Sequence, residues 1–76
     1  MSYTDHAYLN RMVSLAIEYG AVTSEEAYIL VGKYGSDHEH VMVDILWIVY
    51  RRCKDKKKLE EMQSVYREYR SSLHSS

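Results

Sequence analysis

The side chains able to do chemistry gather in two short stretches. His38, Glu39 and His40, with Asp37 and Asp44 close by, are metal-ligand and proton-transfer types. His40 and Asp44 stand four apart, so on a helix they share a face and can hydrogen-bond or grip one ion. A closed zinc site, however, takes a closely spaced ligand pair plus a second pair elsewhere. His38 and His40, two apart, point to different faces of a helix, and His6 and His74 are isolated in the sequence. The cluster therefore reads as the polar first turn of a helix, and no metal is expected. The second stretch surrounds Cys53, the single cysteine, where Arg51, Arg52 and Lys54 favour the thiolate. Nucleophilic catalysis also needs a base and an oxyanion cradle. No histidine falls near Cys53 in sequence, and there is no glycine-rich loop, phosphate loop or dinucleotide fingerprint. The expectation is a non-enzymatic protein with no cofactor and no small-molecule substrate.

The elements that must position these residues are helices. The chain has 76 residues, no proline and three glycines, and strand-and-turn folds need far more turn residues. Thr23-Ser24-Glu25-Glu26 fits a capping box, with Val22 and Ala27 at the staple positions, and Ser36-Asp37-His38-Glu39 repeats that chemistry. Each follows a Tyr-Gly pair, Tyr19-Gly20 or Tyr34-Gly35, the pattern of a helix stop. These signals predict a first helix over about 4–19, a second over about 24–34 and a third beginning at 37. Leu9, Met12, Val13, Ala16 and Ile17 form the core stripe of the first, and Ala27, Leu30, Val31 and Tyr34 that of the second. A C-terminal amphipathic helix over about 56–72 has Leu59, Met62, Tyr66, Tyr69 and Leu73 as its seam, with residues 71–76 fraying.

The third helix, about 37–53, is apolar nearly all round. Between Val41 and Tyr50 only Asp44 is polar. Its β-branched content also suits a strand, but no second such run exists to pair with it, and the Ser36 cap announces a helix. A helix of this kind must be covered on nearly every side. Either the last helix folds back on it after a bend near residues 53–55, the preferred reading, or one rod from 37 to 72 recruits a second copy. Asp55 is placed to cap a new helix, although three lysines then occupy its first turn, which the helix dipole disfavours. The fold class expected is a single all-α domain, a small bundle of three to four helices.

Charge is divided unevenly. Residues 1–50 hold two bases against seven acids, a net of −5, and residues 51–76 hold eight bases against four acids, a net of +4. The basic stretch Arg51, Arg52, Lys54, Lys56, Lys57 and Lys58 is a candidate patch for nucleic acid or an acidic protein surface. The second and third helices also resemble a helix-turn-helix superficially. A recognition helix needs basic and amide side chains for the major groove, whereas this one offers Asp37, Glu39 and Asp44, so a packing hairpin is preferred.

Aromatic usage points elsewhere. Eight tyrosines and one tryptophan accompany no phenylalanine. Tyrosine suits sites with one dry flank and one wet end, which describes interfaces and equally the rim of a thin domain. Asp37, His40, Asp44 and Arg51 form one polar stripe of the third helix with Trp47 inside it, so Trp47 is either an exposed anchor or turned inward. The candidate protein-binding residues are Trp47, Asp44, Tyr50, Arg51, Tyr66 and Tyr69. No apolar run nears the roughly 18 residues of a membrane span. Residues 1–5 lack a basic and an apolar signal region, and a lone cysteine suits a reducing compartment, so a cytoplasmic location is expected. The functional expectation is a protein-interaction module, an adaptor, regulator or inhibitor, with a homodimer possible. The alternatives are a nucleic-acid-binding regulator using residues 51–58 and a phage-type inhibitor of a host enzyme.

Overall fold

Glycines and side-chain caps cut the chain into four helices. The computed structural model describes residues 3–74, and the side chains of residues 6–73. The elements are α1 (Tyr3–Glu18), α2 (Ser24–Tyr34), α3 (His38–Arg52) and α4 (Lys56–His74), with no strand among the described residues. The molecule is a small all-α bundle, and no helix among the described residues is long and apolar enough to cross a membrane.

Each boundary has a local cause. At the end of α1, Gly20 takes φ 76°, its N–H donates to the Ile17 carbonyl at 3.0 Å, and the Ala21 N–H donates to that of Ala16 at 3.0 Å. This Schellman pairing closes the last carbonyls, and the buried Ala16 and Ala21 supply its apolar contact. Thr23 then caps α2 through a full capping box: its Oγ1 accepts from the Glu26 N–H at 3.1 Å, and Glu26 Oε1 accepts from the Thr23 N–H at 3.0 Å.

The cap of α3 is Asp37, one residue beyond the expected Ser36. The Asp37 N–H donates back to the Tyr34 carbonyl at 3.1 Å and the His38 N–H to that of Ser36 at 3.0 Å. That tight turn leaves Asp37 as the side chain over the first free amides, where Oδ1 accepts from the His40 N–H at 3.2 Å. Its other oxygen lies 2.6 Å from the His40 ring Nδ1.

This contact makes the cap pH-dependent. The His40 ring hydrogen bond holds the Asp37 carboxyl below its ordinary 3.8, and the same bond raises His40 above its ordinary 6.5. Stabilisation from Asp37 is present above 3.8 and lost as pH falls through its lowered value; that from His40 is present below 6.5 and lost as pH rises through its raised value. The difference in melting temperature between the wild type and His40→Ala is therefore expected to be largest between pH 3.8 and 6.5 and to shrink on both sides. A difference that does not vary with pH would remove the pair as its source.

Between α3 and α4 the chain bends at Cys53, whose φ of −99° and ψ of 124° are extended. Asp55 Oδ1 then accepts from the Lys57 and Lys58 N–H groups at 3.0 and 3.4 Å. One carboxylate thus satisfies two of the orphan amides and sets a negative charge against the three lysines of the first turn. α4 remains helical to His74, past the fraying expected from residue 71; residues 75 and 76 lie outside the described residues.

α3 is the hub. It packs on α1, α2 and α4, and α1 also packs on α2 and α4, whereas α2 and α4 do not touch. Val41, Met42, Ile45 and Val49 of α3 are buried against Leu9, Met12 and Ala16 of α1 and Met62, Val65 and Tyr69 of α4. The buried face of α4 keeps Met62 and Tyr69 of the expected seam but is rotated from its centre. Val65 is in the core, Leu59 and Tyr66 are half-buried, and Leu73 is exposed. Polar contacts on the α1 side accompany this rotation. Tyr19 donates its hydroxyl to Glu61, Lys58 Nζ sits 5.5 Å from the Tyr19 ring centre, and Arg11 pairs with Glu68 at 3.5 Å. Burial and the Glu61 carboxylate both push the Tyr19 phenol above its ordinary range.

Candidate functional site

Because α2 and α4 do not meet, one side of α3 stays uncovered. At about 100° per residue, Trp47 lies roughly opposite the centre of the buried stripe formed by Val41, Met42, Ile45 and Val49. The result is a Trp47 that is 58% exposed and a Tyr50 that is 59% exposed, with the two rings edge-on at 5.9 Å. Of the two sequence readings for Trp47, the structure places it outward.

Trp47 is a crest between two depressions. Toward α4 lies a groove of about 450 Å³, lined by Val43, Leu46, Trp47 and Tyr50 of α3 and by Leu59, Gln63 and Tyr66 of α4. All but Gln63 are apolar or aromatic. The rotation of α4 creates it, since turning Val65 into the core moves Leu59 and Tyr66 to the rim. Toward α2 lies a slightly smaller depression of about 400 Å³, lined by Asp44, Trp47, Ile48 and Arg51. Here the Tyr34 hydroxyl donates to Asp44 Oδ2 at 2.7 Å and fixes the carboxylate in place. The same bond, with the Asp44 charge, raises the Tyr34 phenol above its ordinary 10.0. The Tyr34 ring stacks on His40 at 5.3 Å, so His40 is tied to both Asp37 and Tyr34.

The six candidate protein-binding residues are thus separated. Trp47, Tyr50, Asp44 and Arg51 share the outer side of α3, and Tyr66 forms the far wall of the groove. Tyr69 does not belong with them. At 5% exposure it is a core residue, with its ring edge-on to Tyr8 at 5.9 Å. Sequence spacing put it on the seam but could not show which edge of the seam is its dry side.

The basic patch is also divided. Arg52 Nη1 donates to the Ala21 carbonyl at 3.0 Å and to Glu26 Oε2 at 3.0 Å, clasping the end of α3 to the turn before α2. The Thr23 amide and Arg52 together hold the Glu26 carboxyl below its ordinary value. Lys58 lies over Tyr19. Arg51, Lys54, Lys56 and Lys57 remain exposed, with Asp55 and Glu60 exposed among them.

Two placements have no counterpart in the sequence reading. His6 meets His38 edge-on at 4.6 Å, although the two lie 32 positions apart, and the buried His38 Nδ1 has no hydrogen-bond partner among the described residues. No third ligand joins them: among the described residues no group of three or more His, Cys, Asp or Glu side chains is placed to hold an ion. The other is the groove wall itself. Its signal was the spacing of Val43, Leu46 and Tyr50 on one helix face, with Leu59 and Tyr66 one heptad apart on another.

A larger depression of about 730 Å³ between α1 and α4 is lined by Tyr8, Ser64, Arg67, Glu68, Ser71 and Ser72 and carries no strongly exposed aromatic. No protein-family model matches this sequence, and no curated protein or solved structure matches it.

Proposed function

We propose that this chain is a non-enzymatic protein-interaction module, an adaptor, regulator or inhibitor of another protein, that docks through the outer side of α3 with Trp47 as its anchor. One observation carries the reading: a tryptophan and a tyrosine stand more than half exposed at the edge of an apolar groove. Large aromatics on a pocket rim supply binding energy out of proportion to their number. Leaving that surface in water has no structural benefit, and an apolar patch of this kind marks an interaction site. A cytoplasmic setting fits the free Cys53.

In dilute solution the Trp47 emission is expected to be red-shifted and readily quenched by acrylamide. Capture of the partner protein is expected to be lost in Trp47→Ala and retained when Lys56, Lys57 and Lys58 are replaced together. A blue-shifted, protected emission in a proven monomer, or equal capture by both variants, would sink the proposal. Nucleic-acid binding through the same lysines predicts retention on duplex or single strands that falls steeply with salt.

A further inference from the structure

The α2-facing flank of Trp47 has an order that is its own complement. Along α3 it reads Asp44, Trp47, Ile48, Arg51, acid at one end, base at the other, apolar between. The midpoint of Asp44 and Arg51 is also the midpoint of Trp47 and Ile48. Within one chain the two charges cannot meet, because seven residues of helix separate them by about 10.5 Å. Arg51 makes no ion pair among the described residues, and Asp44 is held in place by Tyr34.

Resting on the interaction-module reading, we infer that the partner is a second copy of this chain, docked with the two α3 helices antiparallel about a two-fold axis between Trp47 and Ile48. In that register Asp44 of each copy faces Arg51 of the other, and Trp47 of each lies over Ile48 of the other. A two-fold contact must be self-complementary, and this stripe meets that condition in charge and in apolar character together. The groove beside Trp47 gives the large rings of the opposing copy a place to seat. A stable interface of this kind needs about 800 Å² from each partner. The exposed surface of the chain is 5163 Å², so the contact takes roughly a sixth of it.

Sedimentation over a wide concentration range, read beside Trp47 emission, tests the register. The wild type is expected to dimerise, with emission moving to the blue as the dimer fills. Arg51→Glu is expected to weaken the dimer by on the order of tenfold or more, because two symmetry-related attractions become repulsions. Asp44→Lys is expected to do the same, and the double variant Asp44→Lys/Arg51→Glu to restore it. Asp44→Asn, which keeps an acceptor for Tyr34, gives a milder weakening and serves if Asp44→Lys loses its helical circular dichroism. A wild-type dimer indifferent to both charge changes overturns the register. A wild-type monomer at every concentration overturns the dimer: with Trp47 open to acrylamide, docking of a foreign protein stands, and with Trp47 protected, both readings fall.

Discussion

Replacing Ile45 by alanine is expected to remove most of the stability of this chain. Ile45 is fully buried at the centre of α3, which like α1 packs on all three other helices. Truncating a buried isoleucine costs about 2–5 kcal/mol, from lost transfer energy plus the cavity left behind. One core of this size rarely supplies more than about 3–5 kcal/mol. The two ranges overlap, so the variant is expected to be substantially unfolded at room temperature. Urea unfolding followed by helical circular dichroism measures it. Ile29→Ala is the control, since Ile29 is 60% exposed on α2 and its truncation should change stability by no more than about 0.5 kcal/mol. If the two variants unfolded at the same urea concentration, α3 would not be the hub of the fold.

The hub was legible in the sequence because its signals were local. An apolar run with a capping side chain before it and basic residues after it reads as a helix needing cover, whatever surrounds it. The Thr23 box and the αL glycine after Tyr19 were equally legible, each being a pattern of a few neighbouring residues. The shift of the third cap from Ser36 to Asp37 was not, because both residues are good caps and only the turn geometry selects between them. Rotation of α4 was hidden for a deeper reason. Leu59, Met62, Tyr66, Tyr69 and Leu73 define a wide apolar arc, and its periodicity cannot tell the driest line of that arc from its edge. Lys58 and Glu61 against Tyr19, and Glu68 against Arg11, are the polar contacts that go with the line taken. The groove beside Trp47 inherits that choice, so the sequence could present the anchor as a possibility but not the wall facing it.

Charge was legible in amount and not in use. The acidic first fifty residues and the basic remainder suggested a partner of opposite sign, yet each half finds part of that partner in the other. Arg52 clasps Glu26, and Arg70 pairs with Glu39. Exposed pairs of this kind contribute little energy singly. Their effect is directional, in that the second half returns to the first in one arrangement. Asp44 and Arg51 are left out of this internal pairing. Lys54, Lys56, Lys57 and Glu60 near the bend are left out of it too, so what distinguishes Asp44 and Arg51 is their symmetric placement about Trp47 and Ile48.

The line chosen by α4 can be tested directly by placing a carboxylate on either side of it. Val65→Asp is expected to abolish the folded state. Val65 is buried among Met12, Met42 and Met62 in the core, and an uncompensated buried charge costs about 3–5 kcal/mol. Tyr66→Asp, one residue on, puts the same group at the half-buried rim of the groove, where water reaches it. That variant is expected to keep its helical circular dichroism and a cooperative melt, while losing groove surface and with it binding at the α3 face. The seam read from spacing alone, with Tyr66 at its centre and Val65 beside it, predicts the reverse order of damage. Thermal melts of the two variants side by side decide between the registers, and a folded Val65→Asp would mean that α4 presents another face to the bundle and that the groove has a different wall.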